Sequence, residues 1–165
     1  MSVEPSAFPA SGHDHGSCVR SALADAERLC RQQGLRLTAI RRRVLELIWQ
    51  SHRPSGAYEL LERLAAEGRK PAPPTVYRAL DFLLAHGLIH RISSRNAFVG
   101  CSQPRESHMA QIFICDHCGV ALEQADSSLN RRIRHNADVL QFQIRTQTVE
   151  IVGLCPHCAG QTDAA

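Results

Sequence analysis

The chain has 165 residues, of which 44% are apolar and only 5% aromatic, with seven cysteines and a formal net charge of +3. That length allows one ordinary domain or two small ones around an aliphatic core. No apolar run reaches the roughly 18 residues of a membrane-crossing helix, and the N-terminus lacks a basic-then-apolar leader, so a cytoplasmic protein without a membrane partner is expected. In that compartment thiols stay reduced, and the cysteines point to metal or redox chemistry before disulfides.

The charge is unevenly placed. Residues 1–19 carry Glu4 and Asp14 and no Lys or Arg, residues 20–95 carry 14 Lys/Arg against 7 Asp/Glu, and residues 96–165 carry 5 against 7. A basic middle followed by a mildly acidic end suggests that one half meets a polyanion and the other does not.

Residues 1–19, rich in Pro, Gly and Ser without apolar period, are expected to be a disordered tail, with no specific role for His13, His15 and Cys18. Helical period begins at Ser21 and runs to Gly34, with Cys30 a small core residue. Thr38 caps a second helix whose stripe is Ile40, Val44, Leu47 and Ile48. A third fits "AYELLERLAAEG", and a fourth opens at "PPTVYRALDFLLAHG", with Pro at its start and Gly87 at its stop. The period then changes to two: "LIHRISSRNAFVGC" reads as a β-hairpin turning at "SSRN". Residues 20–100 thus outline a winged helix-turn-helix. "CSQPRES", residues 101–107, is a polar break and a plausible hinge. In residues 108–165, "QIFICDHCG", "LQFQIRTQ" and "TVEIVGLC" read as strands and "SSLNRRIRHNA" as a helix, a small α/β module. The fold class expected is therefore α+β.

A recognition helix enters the major groove of double-stranded DNA by its N-terminal residues, here Thr75, Tyr77 and Arg78. Thr75 can bond a phosphate, Tyr77 can reach backbone or a thymine methyl, and Arg78 can fork onto guanine. Arg36 and the triplet Arg41, Arg42 and Arg43 are expected to serve phosphates or a minor groove. The plain alternative is a solvated basic face.

Cys115-x2-Cys118 is followed after 36 residues by Cys155-x2-Cys158. Two such pairs at strand ends can supply four thiolates to a closed structural zinc site. A thiol–disulfide oxidoreductase competes for the second pair, but its cysteine pair needs a following helix, and no long helix can start ten residues from the chain end. Cys101 stands between His90 and His108 with spacing His90-x10-Cys101-x6-His108, and Glu123 lies five residues beyond Cys118. These four could form a second zinc site. Equally, Cys101 could be a buried thiol, His90 a wing residue near phosphate and Glu123 a solvated strand end. A zinc deaminase would need H-x-E, which does not occur.

"KPAPPTVYRALDFLLAHGLIHRI" together with "FICDHCG" and "VGLCPHC" resembles the ferric uptake regulator (Fur) superfamily, and within it the zinc uptake regulator branch. The resemblance runs from about Ala22 to Cys158. It implies a homodimeric winged-helix repressor, not an enzyme and without a small-molecule substrate, that takes zinc as corepressor and binds palindromic operators of zinc uptake genes. It implies that residues 108–165 form the dimerisation domain, and that two Zn2+ bind per subunit. Cys115, Cys118, Cys155 and Cys158 fall on the family's structural site, and His90, Cys101, His108 and Glu123 on the regulatory one. Tyr77 and Arg78 fall on the base-reading pair, and Arg36 on a basic residue that approaches DNA. The stretch before Cys115 keeps only His108 where iron-sensing members are His-rich, which favours zinc over the iron- or peroxide-sensing alternatives. The "HDHGSC" tail has no family counterpart, and His135 is a possible remnant of a third site.

Overall fold

The computed structural model describes residues 8–9, 13–104 and 109–162. They form two compact units, divided between Glu106 and Ser107.

In the first unit, helix α1 spans His15–Gln32 and α2 spans Ala39–Trp49. A two-residue strand β1, Ser55–Gly56, precedes α3, Ala57–Ala66, and α4 covers Pro73–Ala85. Strands β2, Ile89–Ile92, and β3, Ala97–Gly100, close the unit. Thr38 caps α2 by accepting from the Arg41 amide, and Gly34, Gly68 and Gly87 adopt positive φ just past the helix ends. Helix α2 packs on α1 and α4, burying Val44, Leu45, Leu47, Ile48, Leu80 and Leu83 at no more than 1% exposure. The sheet runs in the order β1-β3-β2, all antiparallel, and the β2–β3 turn passes through Asn96 in the left-handed region. This is the winged helix.

Two expectations are corrected here. Helix α1 starts at His15, not Ser21, because Asp14 supplies an N-cap by accepting from the Gly16 amide; residues 15–19 are its first turns and not part of a disordered tail. The period-two pattern did not reveal β1, which is too short to show one.

The second unit has β4, Ala110–Cys115; β5, Ala121–Gln124; α5, Ser127–Val139; β6, Thr148–Gly153; and α6, Pro156–Thr162. Its sheet order is β5-β4-β6, with β4–β5 antiparallel and β4–β6 parallel. Asp126 caps α5, accepting from the Ser128 hydroxyl and from the amides of Ser128 and Leu129, and the Ser128 bonds hold its carboxyl below its usual range. Residues 140–147, expected as a strand, are a turn and irregular chain. Gln141 takes φ 53° and the Phe142 amide bonds back to Ala137 O at 2.8 Å, which ends α5 and leaves Leu140 and Phe142 exposed.

Trp49 at the end of α2 lies flat against Gly100 on β3: a Cβ there would sit 2.1 Å from the indole. Gly100→Ala is expected to cost about 2 kcal/mol by overpacking and lower the melting of the winged unit by roughly 10 °C. Gly153→Ala, with nothing within 4 Å of its added Cβ, should stay within about 0.5 kcal/mol. Calorimetry of both variants checks the contrast.

Candidate metal centre and nucleic-acid interface

The parallel register pairs Cys115 with Gly153, so β4 and β6 end side by side and both cysteine pairs leave the sheet at the same edge. The first turns back at once: the Gly119 amide bonds Cys115 O at 2.9 Å, with Gly119 at φ 78°, a geometry that favours glycine. The second enters α6, where the Cys158 amide bonds Cys155 O at 3.0 Å. The sulfurs of Cys115, Cys118, Cys155 and Cys158 all lie within 4.8 Å of one another. Sulfurs about 2.3 Å from a tetrahedral zinc stand about 3.8 Å apart, and Cys118 Sγ is 3.8 Å from Cys155 Sγ. The donor set fits zinc.

The protonation of this cluster explains why it needs a cation. Backbone amides of Cys118 and Cys155 draw the Cys115 thiol down to about 6, the latter directly, from Cys155 N at 3.4 Å. Burial, with hydrogen bonds from the neighbouring sulfurs, pushes Cys158 up to about 12. One thiolate forms readily and the next is opposed by it. A divalent ion reverses that order and takes all four. A short helix does follow Cys155, so the absence of a long helix is weaker evidence against a redox pair than the sequence suggests. The convergence of both pairs on one point favours metal.

In the winged unit, His90 on β2 faces Val99 on β3, and the Cys101 amide continues the ladder to Leu88 O at 3.0 Å. His90 and Cys101 therefore share one face as diagonal neighbours, and their donor atoms lie within 4.8 Å of each other. Cys101, the residue after β3, is buried at 3% exposure. Glu123 stands on β5 opposite Ile112, half-buried. His108 lies outside the described residues. His135 is exposed on α5.

On α4 the first-turn residue Thr75 is half-buried, while Tyr77 and Arg78 are exposed, as is Arg36 before α2. The arginine triplet departs from expectation. Arg42 pairs with Glu27 and Glu46, and Arg43 with Glu46 and Glu67; these bonds raise both guanidinium pKa values and lower that of Glu67. Arg41 lies over the Phe82 ring, 3.6 Å from its centroid, and bonds Arg36 O at 2.6 Å. The triplet stitches helices together. Sequence reasoning also passed over His52, which the fold brings against His13 and Cys18; 33 residues separate it from Cys18, and no local pattern marks it.

A winged helix joined to a small sheet closed by four thiolates defines a two-module, metal-binding protein of the DNA-binding winged-helix class. The profile of the ferric uptake regulator family matches residues 32–152, and the chain belongs to that family. It is 39% identical to the zinc uptake regulation protein of Escherichia coli strain K12 over 143 residues, 85% of this chain and 82% of that one. Its structure resembles a zinc uptake regulator complexed with zinc and DNA, with a TM-score of 0.83 and 36% identity over 89% of this chain and 98% of the other. It also resembles the holo form of XcZur, with a TM-score of 0.79 and 45% identity over 85% and 98%. No helix among the described residues is long and apolar enough to cross a membrane.

Cys155→Ser should remove one zinc equivalent per chain and abolish cooperative unfolding of the second unit. Structural zinc supplies about 10 kcal/mol, more than a core of this size provides alone. Metal counting after dialysis, with denaturant titration followed by circular dichroism, measures both.

Proposed function

We propose that the protein is a zinc-responsive transcriptional repressor that binds palindromic operator DNA as a homodimer and controls zinc uptake genes. The observation that carries this reading is the pairing of an imidazole and a thiolate, His90 and Cys101, within 4.8 Å on the wing sheet of a DNA-binding fold. That donor set is softer than the nitrogen and oxygen sites that suit iron, and selects zinc. His108 and Glu123 complete the regulatory set; they rest on spacing and on family resemblance. With the four-cysteine site this gives two Zn2+ per subunit. The identity to a zinc uptake regulation protein over most of both chains supports the same assignment.

Thr75, Tyr77 and Arg78 on α4 are the proposed groove-facing residues, with Arg36 on the phosphates. The triplet's engagement with Glu27, Glu46 and Glu67 concentrates readout on these four. Residues 108–165 form the dimerisation domain on this reading. Support comes from β6, an edge strand, and from Val139, Leu140, Phe142 and Val152, which expose 54% to 75% of their surface, an apolar patch that a partner copy would cover.

A zinc titration of operator binding tests the assignment. Wild type should tighten on DNA as free zinc rises, while Cys101→Ser should lose that dependence yet keep the four-cysteine zinc. An unchanged zinc response in the serine variant would remove His90 and Cys101 from sensing. Arg78→Ala should weaken operator binding by about 1–3 kcal/mol while leaving random DNA nearly unaffected. An equal loss on both would make Arg78 a phosphate contact.

A further inference from the structure

We propose that His13, Cys18 and His52 form a further binding site for a zinc-class divalent cation, one that ties the start of α1 to the loop between α2 and β1. Their donor atoms lie within 4.8 Å of one another, and His13 Nε2 is 3.0 Å from Cys18 Sγ. His15 stands beside them, its ring centroid 4.9 Å from that of His52 and 5.4 Å from that of His13; it is the adjacent candidate for a fourth position. The His13 and His52 rings are 4.9 Å apart.

Three imidazoles gathered around a thiol need a reason, since rings of this kind are well solvated apart. The local fold places them. Asp14 caps α1 between His13 and His15, and Cys18 follows His15 by three residues, one helical turn on. His52 comes from the exit of α2. Two nitrogens in the cluster, His15 Nδ1 and His52 Nε2, are buried without a hydrogen-bond partner. A buried polar atom left unpaired carries an uncompensated desolvation penalty, and a cation removes it. Two imidazoles and a thiolate suit a borderline cation such as Zn2+ and exclude Mg2+ or Ca2+, which take oxygen. Binding converts the Cys18 thiol to a thiolate and releases its proton to water.

The loop that contributes His52 runs directly into β1, which pairs with β3 of the wing. Filling the site therefore fixes residues 50–56, and with them one edge of the wing sheet. All three ligands belong to the winged unit and none is among the residues proposed above for zinc sensing.

Alkylation of Cys18 in the full chain, followed by peptide mass, tests the proposal. At free Zn2+ about ten times Kd, modification should slow about tenfold, because only the unliganded thiol reacts. Mg2+ should give no protection. His52→Ala should lose the protection, and so should His13→Ala, whose exposed side chain keeps the test valid if the His52 variant is poorly folded. Metal counting should find one zinc equivalent fewer in each variant. A Cys18 rate indifferent to Zn2+, or protection that survives in His13→Ala, would leave only a cluster of tilted rings and overturn the proposal. The readout follows Cys18 alone, so its failure leaves the repressor assignment untouched.

Discussion

Four sulfurs within 4.8 Å of one another cannot all ionise without a cation, and cannot pack as an ordinary apolar core with their polar neighbours unsatisfied. The second unit depends on resolving that conflict. Among its described residues the buried apolar ones are few: Ala110, Ile112, Ile114, Ala121 and Ala137 besides the cysteines. The parallel partner of β4 arrives only after α5 and a long irregular return, a closure whose entropy such a core does little to offset. A divalent ion at the strand ends would supply the missing free energy where β4 and β6 finish together. Folding of this unit and its metal content are then one equilibrium.

The winged unit solves a different problem. It is rich in arginine, yet much of that charge is committed internally. Arg42 and Arg43 bridge α2 to α1 through Glu27 and to the end of α3 through Glu67, and Arg41 covers Phe82 of α4. Exposed pairs of this kind contribute little each, but they fix the attitude of α2 against its neighbours and so the presentation of α4. The cations left for a polyanion are fewer than the sequence total suggests, and Arg36 and Arg78 are among them. A helix that reads bases gains more from one well-placed arginine than from a diffuse positive field, which binds all sequences alike.

Much of this was legible in the sequence, and the failures share a cause. The helix caps at Thr38 and the stops at Gly34, Gly68 and Gly87 are local signals, and they lie where the chain itself predicts. The two cysteine pairs carry their chemistry in their spacing. By contrast, the strand expected over residues 140–147 rested on alternation alone, and the αL turn at Gln141 breaks it. The triplet's role could not be read because its partners Glu27 and Glu67 are distant in sequence. His52 was invisible for the same reason: nothing in its neighbourhood announces a ligand, and only the packing of α1 on α2 supplies its companions. The extension of α1 to His15 turned on one capping aspartate within a tail whose composition argued against structure.

The placement of donors also bears on which metal site can regulate. A ligand shifts a conformational equilibrium only by as much as its affinities for the two states differ. The four-cysteine set lies wholly inside one unit, so metal bound there would be nearly indifferent to how that unit is oriented and would act on whether the unit is folded. His90 is on β2, and Cys101, just past β3, bonds Leu88 O through its amide. They offer only two donors, and a tetrahedral ion bound by two alone is weakly held. Any further ligands must come from elsewhere in the chain, and their availability depends on conformation. A donor pair that needs ligands from elsewhere would be better suited to sensing than a set complete within one unit, because its affinity for zinc would depend on the conformation that supplies them.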